Sequence, residues 1–388
     1  ILWNDTRSYK QASILDKEEN LRKITGNIVF PGFTAPKLLW IQDNKPELFK
    51  QVAKVLLPAS YLGYYLTGEY FMDMSDAAGT SWLDVGNRCW SEYALKASNM
   101  RSDQMPKLLE GTQVASSVSK FIADELGIPS GVSVVAGAGD NAAAACGVGI
   151  TKEGQGFVSI GTSGVLLTAR DTYTPLANSA VHTFCHAIPK TWYQMGVILS
   201  ATDSLNWLSS ITGKSPKELS EGLGHKINGP SFEKFYPYLS GERTPLNDAH
   251  IRGGFSGLST NSNRIKLAQA VLEGVAFALC DCLEALKKAG PCPDQLLAIG
   301  GGSRSRFWLE TIATTLNTAI ARPIDGEYGA AMGAARLAIL GKTSEPLNNI
   351  VSHPTISEII EPRTDLSDLY SEAFDLYRSA PSHLKSIQ

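Results

Sequence analysis

The sequence has few cysteines, no long apolar run and no marked excess of charge of either sign. Its 388 residues include six cysteines. None forms a Cys-x-x-Cys pair, which disfavours a disulfide scaffold and a structural zinc site. Lys and Arg number 35 against 38 Asp and Glu, a net charge of −3, without the basic runs that nucleic acid or an anionic membrane requires. We therefore expect no nucleic acid and no membrane as partners.

Membrane and secretory signals are also missing. Apolar stretches such as Val132–Ala136 are far shorter than the roughly 20 residues of a spanning helix, and no charged-then-apolar leader opens the chain. These features predict a cytoplasmic protein with reduced thiols. The chain opens on Ile1-Leu2-Trp3, without Met, and this tripeptide resembles the end of a strand. This start predicts a fragment of a longer protein.

The first part of the chain is mainly helical in pattern. Apolar residues recur at three- to four-residue spacing from Tyr9 to Leu66, and again over Ser91–Ala97 and Ser117–Leu126. The β-branched run Val132–Ala136 predicts a buried strand. A polar stretch at Thr151–Gly156 predicts the hinge between two domains, 1–150 and 151–388.

The second part alternates strands and helices, which predicts α/β architecture. Phe157–Ile160 and Val165–Ala169 flank a glycine turn and predict a hairpin. The later predicted elements alternate helix and strand: Asn263–Lys288, Leu296–Ile299, Ser305–Asn317, Ala319–Arg322 and Tyr328–Leu340. Within the last, Gly329 and Gly333 predict a close contact between helices.

Asp140 is the strongest candidate acid. It follows a predicted strand and a glycine turn and opens the alanine-rich segment Asn141–Cys146. Ligands of α/β folds gather at the carboxyl ends of strands, and a carboxylate there can take a proton from a substrate hydroxyl. A helix-capping role for Asp140 is the alternative.

Two glycine-rich turns are candidate phosphate or nucleotide contacts. Gly161-Thr162-Ser163-Gly164 offers backbone N–H groups and hydroxyls but lacks the Lys of a Walker loop, so a plain hairpin turn is the alternative. Gly300-Gly301-Gly302-Ser303 lies between a strand and a helix. A dinucleotide fingerprint there would need glycine where Ser305 stands, which leaves a nucleotide-edge contact or a packing turn.

Two further features admit more than one interpretation. His182 and His186 have a spacing that on a helix could bind metal, but no Glu lies between them and no third ligand is evident, so a packed, hydrogen-bonded role is favoured. In the segment Pro237–Pro245, the adjacent Glu242 and Arg243 indicate either a loop that closes over a ligand or a surface ion pair.

Short strings from residue 1 to about Leu340 match one family in the same order. The strings are Trp3-Asn4-Asp5-x-Arg7, Thr25-Gly26-Asn27, Gly32-Phe33-Thr34-Ala35-Pro36-Lys37-Leu38-Leu39-Trp40, Leu56-Leu57-Pro58, Leu66-Thr67-Gly68-Glu69, Ser75-Asp76-Ala77-Ala78-Gly79-Thr80, Gly139-Asp140-Asn141-Ala142-Ala143, Gly161-Thr162-Ser163-Gly164-Val165, Phe184-Cys185-His186-Ala187 and Ser240-Gly241-Glu242-Arg243-Thr244-Pro245. Together they resemble the FGGY carbohydrate kinases, and within that family the xylulokinase branch.

The resemblance implies a ribonuclease H-like fold of the actin and hexokinase type, with two α/β domains around a cleft. It implies phosphoryl transfer from ATP, with Mg²⁺, to the C5 hydroxyl of D-xylulose, and a homodimer as one assembly. Asp140 would be the catalytic base. The substrate contacts implied are Asn141, Gly32 and Phe33. The nucleotide contacts implied are Gly161, Thr162, Asn206, Gly301, Gly302 and Arg306. No metal-ligating residue is implied.

Two positions depart from the family pattern. The family's N-terminal Asp-x-Gly-Thr hairpin, which grips phosphate and magnesium, has no counterpart in this sequence, nor has the Met-His string that touches the sugar. The first domain is thus expected to be incomplete at its N-terminus, and the chain alone to phosphorylate poorly. Where related kinases often carry Asn, four residues after Gly302, the residue is Arg306.

Two other functions stay open at this point. The first is a kinase of the same family for another ketose or polyol, because the missing segment carries sugar contacts. The second is a non-catalytic nucleotide switch of the actin type, which uses domain closure. The Asp140-Asn141 pair argues against the switch, since a switch needs no base aimed at a sugar hydroxyl.

Overall fold

The structure, a computed structural model, describes residues 1–324 and 329–387. Its first part is built from short helices and two-stranded sheets. The helices are α1 (Tyr9–Leu15), α2 (Leu21–Thr25), α3 (Thr34–Asn44), α4 (Pro46–Phe49), α5 (Pro58–Thr67), α6 (Met74–Ala78), α7 (Glu92–Ala97), α8 (Lys120–Leu126) and α9 (Asp140–Gly147). The strands are β1 (Phe71–Asp73), β2 (Leu83–Asp84), β3 (Cys89–Trp90), β4 (Lys107–Leu109), β5 (Val114–Ser117) and β6 (Ser133–Val135). Strand β1 pairs with β4, β2 with β3, and β5 with β6.

The second part contains a seven-stranded sheet and the longest helices. The helices are α10 (Thr202–Thr212), α11 (Pro216–Glu221), α12 (Arg264–Lys287), α13 (Arg306–Leu316), α14 (Ala330–Lys342), α15 (Leu347–Ile350) and α16 (Ser367–Ile387). The strands are β7 (Gly156–Ile160), β8 (Gly164–Arg170), β9 (His182–Cys185), β10 (Trp192–Ile198), β11 (Lys234–Tyr236), β12 (Gly254–Ser256), β13 (Gln295–Ile299), β14 (Ala319–Pro323) and β15 (Ile356–Ile360).

The large sheet has the order β15-β14-β13-β7-β8-β10-β9. Strands β14, β13 and β7 run parallel, and the hairpin β7–β8 is antiparallel, as the glycine turn between them predicts. Because β7 and β13 are parallel neighbours, the loops that follow them leave the same edge of the sheet. This edge is where the two glycine-rich turns lie.

Both faces of the large sheet are covered. Along β7, Val158 packs with α12 and α13 in one apolar cluster, whereas Phe157 packs on the opposite face with side chains of α9 and α14. The alternation follows from the two-residue period of a strand. Helix α9, from the first part of the chain, therefore lies on the sheet of the second part.

Glycines allow α9 and α14 to touch through their backbones. A Cβ atom at Gly333 would lie 1.8 Å from the carbonyl oxygen of Ala143, and one at Gly147 would lie 2.7 Å from that of Gly329. No side chain fits into such spaces. The close helix contact predicted from Gly329 and Gly333 is confirmed.

Most predicted elements form within a few residues of their predicted bounds, but three differ. Strand β6 is only half-buried, with Val132 beside it 42% exposed, because among the described residues β6 pairs with β5 alone. The helix predicted from Ser117 begins at Lys120, since β5 ends at Ser117. The helix predicted from Tyr328 is described from Ala330, and Tyr328 lies outside the described residues.

The termini of the long helices follow their sequence signals. The side chain of Asn263 accepts hydrogen bonds from the N–H groups of Ile265 and Lys266 and so caps α12. Within the ranges 1–324 and 329–387, no helix is both long and apolar enough to cross a membrane.

Candidate active site

Asp140 is the first residue of α9, and its carboxylate is exposed. Gly139, which precedes it in extended conformation, holds the capping position, so the alternative of Asp140 as the helix cap does not apply. Oδ1 of Asp140 accepts from the backbone N–H of Asn141 at 2.7 Å and from its side-chain amide at 2.9 Å. Asn141 therefore orients the carboxylate, and within the described chain Oδ2 accepts no hydrogen bond.

Side chains of the β1–α6 segment hold the turn before Asp140. The N–H of Gly139 donates to Oγ of Ser75 at 2.8 Å. The hydroxyl of Ser75 in turn donates to Oδ1 of the buried Asp73, which also accepts from the N–H groups of Ser75 and Asp76 and caps α6. The position of Asp140 thus depends on a Ser and an Asp of a different segment.

Asp76 adds a second carboxyl group beside Asp140. A Cβ atom built on Gly139 would lie 3.0 Å from Oδ1 of Asp76, so the carboxyl group lies against that turn. Burial, with the nearby charges of Asp73 and Asp140, raises the pKa of Asp76 to about 7. Below Asp140, on β10, burial raises the pKa of Tyr193, and the carboxylates of Asp140 and Asp76 raise it further. This is an acidic, partly desolvated site.

The sequence pattern predicts no role for Ser75 and Asp76 in the site. Both lie in a string that carries the family resemblance, and two acids and a serine at the start of a helix are a capping signal. What the pattern could not supply is the contact with Gly139, which lies 64 positions further along the chain.

The predicted substrate contacts Gly32 and Phe33 lie at the start of α3, next to the same segment. The N–H of Ala35 donates to the carbonyl of Thr80, which follows α6, at 3.0 Å. The ring of Phe33 packs on Phe184 and other aromatic rings, and a Cβ at Gly32 would lie 2.4 Å from a backbone oxygen of Trp3. Their contact with a sugar stays a prediction.

The turn between β7 and β8 rests on the start of α10. The N–H of Ala201 donates to the carbonyl of Thr162 at 2.8 Å, and that of Thr202 donates to Gly161 at 2.9 Å. Beside it, Gly300 has φ +86°, and a Cβ there would lie 2.9 Å from the backbone of Ile160. The two glycine-rich turns therefore touch, as their shared sheet edge predicts.

A cavity of about 570 Å³ opens next to these turns. Its lining includes the predicted nucleotide contacts Asn206, Gly301 and Gly302. The other lining residues are Thr202, Leu205, Pro216, Lys217, Ser220, Glu221, Arg304, Ser305 and Trp308. Of these, the α11 residues were missed by sequence reasoning, because α11 reaches the cavity through tertiary packing alone.

Arg306 does not line this cavity. Its Nε donates to Glu358 at 2.8 Å, and its Nη1 donates to the carbonyl of His225 at 2.9 Å. The guanidinium is thus engaged by β15 and by the segment after α11, whereas Arg304 lies on the cavity wall. A contact between Arg306 and the adenine base stays a prediction, and this geometry does not favour it.

The histidine pair has the packed, hydrogen-bonded role that the sequence favours. His182 lies on β9 with its Nδ1 3.2 Å from Oδ1 of Asn27, and Nε2 of His186 lies 3.1 Å from the carbonyl of Ile150. Both rings are buried, and burial lowers the pKa of His186 to about 4. In the described ranges, no group of three or more His, Cys, Asp or Glu side chains could hold a metal ion.

Two domain families match the chain. The N-terminal domain of the FGGY family of carbohydrate kinases matches residues 1–147, and the C-terminal domain matches residues 156–341. Together they cover most of the sequence.

Relatives with curated names are similar over most of the chain. It is 43% identical to the xylulose kinase of Escherichia coli K12, over 89% of this chain and 72% of that protein. It is also 43% identical to the xylulose kinase of Klebsiella pneumoniae, over 87% of this chain and 70% of that protein.

Solved structures are similar in fold. A "xyloylose kinase" from Brucella ovis matches with a TM-score of 0.97 and 52% identity, over 100% of this chain and 80% of that one. A ligand-bound xylulose kinase from Lactobacillus acidophilus matches with a TM-score of 0.92 and 26% identity, over 99% and 79%. The predicted fold, a two-domain α/β kinase, is confirmed. The chain is a kinase enzyme and belongs to the FGGY family of carbohydrate kinases.

Proposed function

We propose that this sugar kinase transfers the γ-phosphoryl group of MgATP to the C5 hydroxyl of D-xylulose, with Asp140 as general base. Family membership makes it a sugar kinase that uses ATP. The choice of D-xylulose is supported by the names of its relatives from Escherichia coli and Klebsiella pneumoniae and of the Brucella ovis structure.

The position of the Asp140 carboxylate carries the proposal. It is exposed at the start of α9, oriented by Asn141 through Oδ1, and its turn is fixed by Ser75. A general base needs this combination of access and fixed orientation, because proton transfer depends on geometry before it depends on pKa. Oδ1 is bound by Asn141, and Oδ2 accepts no hydrogen bond within the described chain, so Oδ2 is available to a substrate hydroxyl.

The proposed step exchanges one P–O bond for another. Oδ2 of Asp140 accepts the proton of the C5 hydroxyl as that oxygen attacks the γ-phosphorus. The bond from the γ-phosphorus to the β–γ bridging oxygen breaks, and ADP leaves with the electron pair. The products are D-xylulose 5-phosphate and ADP, with the proton on Asp140 until it passes to water.

The nucleotide would lie along the sheet edge that carries both glycine turns. We assign its phosphates to Gly161 and Thr162, and its adenosine to the cavity bounded by Asn206, Gly301 and Gly302. Magnesium usually binds through phosphates, water and one or two carboxylates, and it would neutralise charge on the transferred group. Among the described residues, the carboxyl groups of Asp76 and Asp140 are oxygen ligands of the kind that would help to hold it.

Substitution of Asp140 tests the base. In a coupled ADP-release assay on the chain extended at its N-terminus by the matching segment of a relative, Asp140→Asn should lower turnover by at least about 100-fold, because the amide cannot take the proton. Its affinity for D-xylulose should stay within an order of magnitude. Asp124→Asn, which changes an exposed acid on α8, is the matched control and should keep parental turnover. An active Asp140→Asn enzyme would exclude this residue as the base.

An acceptor panel tests the substrate. D-Xylulose should be phosphorylated faster than other ketoses and polyols. A faster reaction with another sugar would assign the kinase to that sugar, and ATP binding without any sugar-dependent reaction would favour the nucleotide switch.

The poor turnover predicted for the 388-residue chain needs its own comparison. The same assay should be run beside a version extended at its N-terminus by the matching segment of a relative, and the extended version should be faster. Equal rates would contradict the prediction. The homodimer and the cytoplasmic location stay predictions, the first testable by light scattering.

A further inference from the structure

Glu242 is buried in the segment Pro237–Pro245. Its side chain is 3% exposed, so it forms no surface ion pair, and closure of this loop over a ligand stays a prediction. Its Oε1 accepts from the N–H of Leu199 at 3.0 Å and from that of Arg243 at 2.7 Å. Its Oε2 is buried without a partner among the described residues.

Glu242 holds Leu199, and the chain runs from Leu199 into the segment that supports the turn of Gly161 and Thr162, here called the phosphate turn. Leu199 follows β10, and two residues later the N–H of Ala201 donates to the carbonyl of Thr162. The N–H of Thr202 donates to Gly161. The segment from Leu199 to Thr202 is therefore fixed at one end by Glu242 and at the other by the turn itself.

Backbone pairing alone does not reach Leu199. The N–H of Thr244 donates to the carbonyl of Val197 at 3.0 Å. The N–H of Val197 in turn donates to Oγ1 of Thr244 at 3.1 Å. Two residues after Val197, the N–H of Leu199 has the side chain of Glu242 as its acceptor. Without it, a buried N–H would have no partner, which is costly enough to displace a short segment.

We propose that Glu242 is a positioning residue for the nucleotide phosphates, acting through Leu199 on the segment that supports Gly161 and Thr162. This inference rests on the proposed function in one respect: the phosphates must bind at that turn. It predicts that loss of the Glu242 acceptor weakens binding of phosphate-bearing nucleotides and leaves binding of the sugar unchanged.

Calorimetric binding on the full chain tests the proposal without requiring turnover. Glu242→Leu, which removes the acceptor at similar volume, should weaken binding of the magnesium complex of AMP-PNP at least tenfold. Binding of adenosine, which has no phosphate, and of D-xylulose should stay within threefold. Glu242→Gln keeps an acceptor oxygen for Leu199 and should bind AMP-PNP within threefold of the parent.

A second buried acid provides the matched control. Glu273 also accepts from a backbone N–H, that of Ser231, but it lies on α12 away from the phosphate turn. Glu273→Leu should lower the melting temperature and leave AMP-PNP affinity within threefold. Equal losses of nucleotide affinity in Glu242→Leu and Glu273→Leu would show a general structural effect and overturn the proposal, as would no loss in Glu242→Leu.

A milder variant covers the case in which Glu242→Leu does not fold. Glu242→Asp shortens the side chain by one carbon and should weaken AMP-PNP binding three- to tenfold, whereas parental affinity would overturn the proposal. If the parent chain itself binds no AMP-PNP, the proposed function fails together with this inference. If the parent binds and both variants match it, this inference alone fails.

Discussion

The phosphate turn and the turn before Asp140 are held in different ways. The carbonyls of Gly161 and Thr162 accept backbone hydrogen bonds from the start of α10. Gly300 lies against the backbone of Ile160, at the end of β7. Gly139 is held instead by the side chain of Ser75. Backbone contacts tolerate most substitutions except at glycines, whereas a contact through a side chain depends on that one residue. The acid half of the site should therefore be the more sensitive to conservative changes.

Among changes to the residues that support the two turns, the largest effect should come from Gly300, beside the turn of Gly161 and Thr162. Gly300 has φ +86°, and an added Cβ would lie 2.9 Å from the backbone of Ile160. Gly300→Ala should therefore cost about 2 kcal/mol or more through backbone strain and steric overlap, and should lower ATP affinity at least tenfold. Calorimetric titration and thermal melting measure both effects.

The neighbouring glycine is the matched control for that substitution. Gly301 has no heavy atom near the position of an added Cβ and no positive φ. Gly301→Ala should therefore leave stability within about 0.5 kcal/mol of the parent. Similar melting temperatures for the Gly300 and Gly301 variants would contradict the argument from backbone contact.

The next effect concerns the acid half. Ser75→Ala removes the acceptor for the Gly139 N–H, so kcat for phosphoryl transfer should fall about tenfold, equivalent to about 1.4 kcal/mol. KM for ATP should stay within threefold, and Ser75→Thr should restore part of the rate. Steady-state kinetics with both substrates separate these parameters.

Another buried serine controls for loss of a hydroxyl. Ser98 accepts from the indole N–H of Trp82 at 2.7 Å, away from Asp140. Ser98→Ala should lower the melting temperature without changing kcat. If Ser98→Ala and Ser75→Ala reduced kcat to the same extent, the positioning role of Ser75 would be lost.

A third prediction concerns the pH dependence of stability that arises from two buried carboxyl groups, Asp76 near Asp140 and Glu242 near the phosphate turn. The pKa of Asp76 is raised to about 7 and that of Glu242 to about 8, in both cases mainly by burial. At these two groups the folded state therefore holds protons that the unfolded state has released, so their contribution to stability is greatest at low pH and falls as pH rises from about 4 to about 8. The slope is about 1.4 kcal/mol per pH unit for each proton.

Amide variants should flatten this dependence. Asp76→Asn should remove the part that ends near pH 7, and Glu242→Gln the part that ends near pH 8. Denaturant unfolding at pH 5, 6, 7 and 8 measures the change. Parallel curves for the parent and both variants would show that folding raises the pKa of neither group.

The smallest effect should come from Arg306. Its guanidinium binds Glu358 and the carbonyl of His225 outside the nucleotide cavity, so Arg306→Ala should leave ATP affinity within twofold. Loss of this half-exposed ion pair should cost at most about 1 kcal/mol. Asn206→Ala, which changes a residue of the cavity wall, should weaken ATP binding by more than Arg306→Ala does. The reverse ranking would place the arginine at the nucleotide.

The sequence predicts well what local pattern determines. The hairpin at Gly161, the capped helix from Asn263 and the glycine contact at Gly333 each depend on residue types whose geometry is restricted. The carboxylate of Asp140 was placed correctly at a helix start after a strand, because the glycine turn and the alanine run define that boundary.

Features that depend on tertiary partners were predicted less well. The half-exposure of β6 follows from its single partner, which no local pattern reveals. Likewise, the burial of Glu242 and the engagement of Arg306 by Glu358 are set by segments distant along the chain. The Ser75–Gly139 hydrogen bond was missed for the same reason, although Ser75 lies in a string that marks the family.

The backbone contact between α9 and α14 has a consequence for how freely this sequence can vary. At Gly333 the two helices touch through backbone atoms, with the carbonyl oxygen of Ala143 on the other side. A change of side-chain rotamer therefore cannot shift one helix along the other at this point. Substitutions elsewhere in the surrounding core can lengthen or shorten side chains without shifting α9 in its axial register. We therefore expect the axial position of Asp140 to tolerate changes in the surrounding core, provided that Gly147 and Gly333 remain glycine.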